Sequence, residues 1–217
     1  MLSETKNPGR GAQDAQRKGI LYVISAPSGT GKTSICKKIQ VMFPDLRQSI
    51  SYTTRARRAG ERDGVDYHFV GRDVFDSMIA DDAFVEWAQV HDNCYGTARA
   101  TLEQARNAGA DVLLDIDIQG AEQLRRSGLD GVFIFILPPN MSELRKRLDF
   151  RNSDDEKVIA RRLLNAAGEI AEAVSFDYLV INDILEQAID RVRSIMIAES
   201  ARTKRVIDTL PEEFGLK

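Results

Sequence analysis

Cysteine and histidine are scarce in this 217-residue chain, with two of each. Cys36 and Cys94 lie far apart and match no metal-ligand spacing. That excludes a zinc module or a disulfide-stapled fold and suits reduced thiols in a cytoplasmic protein. His68 and His91 flank strand-like pieces, have no partners at metal spacing, and read as structural. Neither sign of charge dominates: 30 Lys and Arg stand against 33 Asp and Glu, a formal net charge of −3. The balance excludes the broad basic field of a nucleic-acid or membrane-surface binder. Long apolar runs are missing too, and the longest, Val132 to Leu137, is far too short to cross a bilayer. Residues 1–18 hold no apolar stretch of the signal-peptide kind. Their polar make-up predicts a flexible leader with no function of its own.

What is present suits one globular unit. Hydrophobic residues make up 43% and charged residues 29% of the chain, and its length suffices for a full buried core. Short apolar runs alternate with amphipathic stretches, the pattern of an α/β fold with a parallel sheet flanked by helices. Buried strands are expected at Ile20–Ser25, Asp111–Asp117, Gly131–Leu137 and Asp177–Asn182; Pro138 and Pro139 stop the third. Helices are expected at Lys32–Met42, Gly120–Arg126, Met141–Phe150, Asp155–Ala173 and Leu185–Thr203. Between Ser49 and Gly96 the composition turns polar, Arg-rich and Gly-punctuated. The strand-like pieces there, Tyr67–Val70 and Phe84–His91, predict an inserted subdomain rather than another βα unit, with Phe84 and Trp87 in its core. A second break, the polar bend Phe150–Glu156, joins two helices.

Ser25-Ala-Pro-Ser-Gly-Thr-Gly-Lys-Thr33 lies between a predicted strand and a predicted helix, the context a Walker A phosphate loop requires. Gly29 and Gly31 let the backbone curl so that successive N–H groups meet phosphate oxygens, and the helix N-terminus adds partial positive charge. Ala26, Pro27, Ser28, Gly29, Thr30, Gly31, Lys32 and Thr33 are therefore the expected ATP site. Lys32 would reach the β- and γ-phosphates and Thr33 would ligand Mg²⁺. Ala26 stands where the pattern has its first Gly; a small Cβ is tolerable there while φ stays negative. Asp115 and Asp117, at a spacing of two, are expected on one face at the carboxyl end of a strand, where this architecture binds ligands. They could hold Mg²⁺ through water or accept hydrogen bonds from a substrate. Cys36, on the helix after the loop, reads as a small buried hydrophobe, and Cys94 is a candidate for exposure. The expected fold is thus of the P-loop NTPase type with an inserted mixed subdomain.

A phosphate loop says only that a nucleoside triphosphate binds. Ser51-Tyr-Thr-Thr-Arg-Ala-Arg-Arg-Ala-Gly-Glu61, Gly64-Val-Asp-Tyr-His-Phe69, Phe84-Val-Glu-Trp87 and Tyr95-Gly-Thr97 closely resemble the GMP-binding region of guanylate kinases. Leu114-Asp-Ile-Asp-Ile-Gln-Gly120, Ile134-Phe-Ile-Leu-Pro-Pro139, Arg147-Leu-Asp-Phe-Arg151 and Arg161-Arg162-Leu match as well, so the resemblance covers residues 19–204. It implies three parts: a core of 19–50 and 98–217, a GMP-binding subdomain of 51–97, and a lid near 140–160. The GMP phosphate would sit among Ser51, Arg55, Arg58 and Tyr67, guanidinium forks and hydroxyls being suited to phosphate oxygens. Guanine would meet Glu86, Thr97 and Asp117. A carboxylate at Glu86 accepts from guanine N1–H and the 2-amino group, neither of which adenine has, and Thr97 can donate to O6. Glu61 would orient arginines. Arg57, where the family has Pro, and Arg62 are expected in solvent. Arg147, Arg151 and Arg162 match lid arginines: Arg147 and Arg162 would act in catalysis with Lys32, and Arg151 would contact ATP. Asp115 would hold Mg²⁺ through water.

The implied activity is transfer of a phosphoryl group from ATP to GMP, in purine nucleotide metabolism. No residue is identified that reads the ribose 2′-hydroxyl, so dGMP is expected to serve as well. The alternative is a guanylate-kinase-like module that binds phosphorylated peptides without catalysis. Such a module need not keep Gly29, Gly31, Lys32 and Thr33, all present here. The expected partners are ATP and GMP, with no nucleic acid and no membrane, in a monomer or homodimer.

Overall fold

A computed structural model of the chain describes residues 17–90, 92–149 and 155–216. Its central sheet is wholly parallel, built from β1 (Leu21–Ser25), β2 (Arg47–Gln48), β7 (Val112–Asp115), β8 (Val132–Leu137) and β9 (Tyr178–Ile181), in the order β2-β7-β1-β8-β9. β1 lies in the middle and is buried throughout. Its apolar residues run without a break because helices cover both faces of the sheet. Ile20, Tyr22 and Ile24 pack towards α1 (Lys32–Met42) and α7 (Leu185–Ser200), against Ile35, Ile39, Val192 and Met196. Leu21 and Val23 point the other way, to Leu102 of α3 (Arg99–Asn107) and to Ala121 and Leu124 of α4 (Ile118–Arg126). Each such side chain, fully buried, contributes about 1.5–3 kcal/mol.

A second, mixed sheet of order β4-β3-β6-β5 rises from the carboxyl side of the first. It comprises β3 (Tyr52–Thr53), β4 (His68–Phe69), β5 (Phe84–Val90) and β6 (Asn93–Ala98), with α2 (Arg72–Ala80) between β4 and β5. Phe75 of α2 packs on Phe84 with ring centroids 4.6 Å apart and planes tilted by 30°, and Cys94 completes that small core. β5 carries a register irregularity between Phe84 and Glu86. Phe84 turns into the subdomain core while Val85 joins the cluster containing Ala121 and Leu124. Glu86 lies against Gly120 of α4, so two consecutive residues share the α4 side, as a bulge permits. Beyond β8, α5 (Met141–Asp149) and α6 (Glu156–Ala171) pack on each other through Leu144, Leu148, Ile159 and Ala166. Most of the bend expected between them, 150–154, lies outside the described residues, as do residues 1–16 of the leader and His91.

Several expectations are corrected. Asp117 is not on a strand: β7 ends at Asp115, and Asp117 caps α4, its carboxylate accepting from the Gly120 N–H at 3.0 Å. Trp87 is 37% exposed and Cys94 fully buried, the reverse of the expected placement. The helices α2 and α3 and the strand β6 were not anticipated. Cys36 is buried as expected, and no helix among the described residues is long and apolar enough to cross a membrane.

Candidate active site

The phosphate loop leaves β1 and enters α1 at Lys32. Gly29 (φ 92°) and Gly31 (φ 94°) are left-handed, which L side chains rarely adopt. At Gly31 there is no room for one either: a Cβ would stand 2.6 Å from Asn182 Nδ2. Asn182 is buried just beyond β9 and donates that amide to the Thr30 carbonyl at 2.6 Å, clamping the loop from behind. The Thr30 hydroxyl donates to the Pro27 carbonyl at 2.8 Å and closes the turn. Neither a side-chain cap nor an acidic residue neutralises the first turn of α1, so its N–H groups and partial positive charge stay available to an anion. Lys32 Nζ donates to Asp115 Oδ1 and to the Ile116 carbonyl, both at 2.7 Å.

That ammonium forms one wall of a cavity of about 310 Å³. Lys32, Thr33 and Asp115 line it from the core; Ser51, Tyr67 and Glu86 line it from the mixed sheet, with Asp117 at the start of α4. Sequence reasoning missed three wall residues, Val90, Tyr95 and Ile116. Tyr95 begins the Tyr95–Thr97 stretch, and its neighbour is Tyr67, ring centroids 6.0 Å apart.

Glu86 is 5% exposed. Burial, with a further push from the Asp117 charge, raises its carboxyl to about 7 against the opposing pull of the Thr97 hydrogen bonds and of Lys32. Thr97 Oγ1 donates to Glu86 Oε1 at 2.5 Å. The threonine hydroxyl is therefore engaged in orienting the carboxylate rather than facing a base oxygen directly.

Arg55 is held by Glu61, Nη2 to Oε1 at 2.7 Å, with its guanidinium 5.4 Å from the Tyr67 ring centroid and 5.8 Å from that of Phe69. The same glutamate accepts the backbone N–H of Arg58 at 2.8 Å, so among these arginines it orients the side chain of Arg55 and holds Arg58 by its main chain. The Arg58 side chain, like Arg57 and Arg62, is exposed. Arg147, on α5, donates to Glu143 at 3.2 Å and to the Asn182 carbonyl at 3.0 Å, which joins it to the clamp behind the phosphate loop. Arg162 is half-buried on α6. Arg151 lies outside the described residues. No group of three or more His, Cys, Asp or Glu that could hold a metal ion occurs among the described residues.

Residues 18–199 match the family model for guanylate kinase. A guanylate kinase of Syntrophotalea carbinolica is 60% identical over 191 residues, 88% of this chain and 91% of that protein. One of Geobacter sulfurreducens is 53% identical over 201 residues, 93% and 99% of the two chains. Among solved structures, guanylate kinase from Anaplasma phagocytophilum superposes with a TM-score of 0.73 at 34% identity, over 92% of this chain and 97% of that one. With a phosphate loop on one side of the cavity, a buried carboxylate on the other and likeness along nearly the whole sequence, the chain belongs to the guanylate kinase family.

Proposed function

We propose that the chain transfers the γ-phosphoryl group of ATP to GMP, giving ADP and GDP, and accepts dGMP as well. The observation that carries this reading is the shared cavity, in which Lys32 and Thr33 face Ser51, Tyr67 and Glu86. In this reading Ala26 to Thr33 cradle the ATP phosphates, and residues 51–97 form the GMP-binding subdomain. Arg55, Arg58, Ser51 and Tyr67 hold the GMP phosphate, joined by Tyr95 on the same wall. Glu86 accepts from guanine N1–H and the 2-amino group, Thr97 fixes its orientation, and Asp117 adds a second acceptor. Adenine has neither donor and would leave Glu86 with Thr97 as its partner but none from the base, a mismatch that such sites reject by about 10⁴-fold or more.

Mg²⁺ fits the donor set. The Thr33 hydroxyl and the Asp115 carboxylate, the latter through water, are hard oxygen donors on one cavity wall, and Mg²⁺ takes few protein ligands when phosphates and water complete its shell. Bound there, it would neutralise charge on the transferring phosphates. Lys32 adds a fixed cation on the donor side. Arg147, on a lid near 140–160 that would also carry Arg151 to ATP, and Arg162 just beyond it add charge as the lid closes and expels water. The acceptor oxygen is anionic at neutral pH, so no general base is needed.

The test is ADP formation from ATP and Mg²⁺ with GMP, AMP, CMP or UMP as sole acceptor. Turnover with GMP is expected. Silence with every acceptor in protein that still binds GMP would favour a phosphopeptide-binding module instead. Within the same assay Arg55→Ala is expected to raise KM for GMP by about 10–100-fold, the worth of a charge-assisted hydrogen bond to phosphate. KM for ATP should hardly move; a larger effect on ATP would take Arg55 off the acceptor phosphate.

A further inference from the structure

Gly120 lies in the first turn of α4 without a positive φ, so its backbone does not call for glycine, and alanine is the better helix former. What the position lacks is room. An ideal Cβ there would stand 2.4 Å from Glu86 Oε2, 3.1 Å from Glu86 Cδ and 3.3 Å from Ile116 Cδ1. One oxygen of the buried carboxylate thus rests directly on the helix backbone while Thr97 holds the other at 2.5 Å. One turn on, Gln123 reaches the next residue of the same strand. Its Nε2 donates to the Trp87 carbonyl at 2.6 Å, and its Oε1 accepts from the Trp87 N–H at 3.1 Å. A side-chain amide that pairs both backbone groups of one residue does the work of a neighbouring strand. It fixes β5 against α4 immediately after Glu86. Asp117, Gly120 and Gln123, three residues apart, form one ridge of the helix.

We propose that Gly120 and Gln123 are positioning residues for guanine recognition: Gly120 leaves the space in which the Glu86 carboxylate lies, and Gln123 fixes the strand that carries it. The proposal rests on Glu86 reading the base. A recognition group has to be held within about 0.5 Å of its productive place. A methyl at position 120 would be accommodated most cheaply by turning the end of the Glu86 side chain, since that is the flexible partner in the clash. Recognition would then be lost while the fold is kept.

Gly120→Ala, Gln123→Leu, Glu86→Ala and the double variant Gly120→Ala with Glu86→Ala test this, with GMP and AMP as acceptors at saturating ATP and with thermal unfolding of each. Gly120→Ala is expected to raise KM for GMP by about 10–100-fold, as small misplacements at a site do. It should lower the preference for GMP over AMP, with KM for ATP unchanged and Tm at or above that of the parent protein. Gln123→Leu should move GMP affinity and selectivity in the same direction. In the Glu86→Ala background, Gly120→Ala should change KM for GMP by less than about twofold, because its route of action is gone. An unchanged KM for GMP in Gly120→Ala overturns the proposal, as does an equal increase in both backgrounds or a parallel loss of ATP affinity and Tm. Glu86→Ala with selectivity intact is a different failure, because it removes Glu86 from the base site altogether.

Discussion

Replacing Lys32 with alanine is expected to lower kcat by about 10²–10³-fold, the cost of removing one preorganised donor from a site of developing charge. The ammonium stands 2.7 Å from Asp115 on the wall shared by donor and acceptor residues. Its attraction strengthens as charge spreads over the transferring group, so the transition state loses more than the ground state. GMP binding should survive, because the groups proposed for its base and phosphate, Asp117 apart, lie on the mixed sheet and the segments around it. The fold should survive at a cost in stability that thermal unfolding would register: only about a fifth of each side chain of the Lys32–Asp115 pair lies in solvent, so the variant leaves Asp115 largely buried without its cation. One indirect effect has to be separated. Lys32 helps to hold the Glu86 carboxyl down, so its loss lets Glu86 titrate at higher pH. Kinetics and calorimetric titration with GMP at about pH 8.5 avoid that overlap. Equal loss of GMP affinity and kcat there would contradict the placement of Lys32 on ATP.

Glu86→Gln is expected to cut the preference for GMP over AMP by about 10³-fold, since one of two acceptors becomes a donor facing guanine's own donors. The same substitution should stabilise the free enzyme. Burial raises the Glu86 carboxyl from 4.5 to about 7, so the folded protein holds a proton that the unfolded chain has released. Stability from this group is fully present below about pH 4.5 and is lost as the pH rises through 7. At pH 8 the glutamine variant should therefore be the more stable by about 2–3 kcal/mol, which thermal unfolding from pH 5 to 8.5 would measure. GMP binding has the opposite dependence. Guanine's N–H groups need an ionised acceptor, so as the pH falls below 7 KM for GMP should rise more steeply in the parent protein than in the variant, by up to about tenfold per unit. The variant keeps only the change that comes from the GMP phosphate, which gains a proton at about pH 6 in both. A parent profile that parallels that of the variant would mean that this carboxyl does not titrate where its surroundings imply.

Most of the core was legible because its signals are local. The run before the phosphate loop is apolar throughout since both faces of β1 are covered, and the helix after it spans Lys32–Met42 as expected. Asp117 misled because a carboxylate two residues after Asp115 fits a strand period, while Asp three residues before a helical N–H also caps a helix; capping won. α3 escaped notice because it buries only Leu102 and Arg106, too thin a stripe to stand out. β6 is held by pairing with β3 and β5 rather than by its own Asn- and Gly-containing sequence. The parts of the candidate site that were missed are long-range in the same way. Asn182 supports a carbonyl 152 positions earlier in the chain, and Gln123 supports a strand 36 positions earlier.

The bulge in β5 separates two duties that a regular strand would confound. With strict alternation Glu86 would share the Phe84 side, among the rings that hold the subdomain together. As built, Val85 anchors the strand to the core cluster and Glu86, one peptide further, lines the cavity. On the proposed role of Glu86, acceptor preference becomes, in evolutionary terms, a character that point substitution at position 86 can change while the anchor stays in place. Deletion of Val85 would do the converse: it would regularise the strand, leave Glu86 on its present face, and deprive that face of its hold on the core.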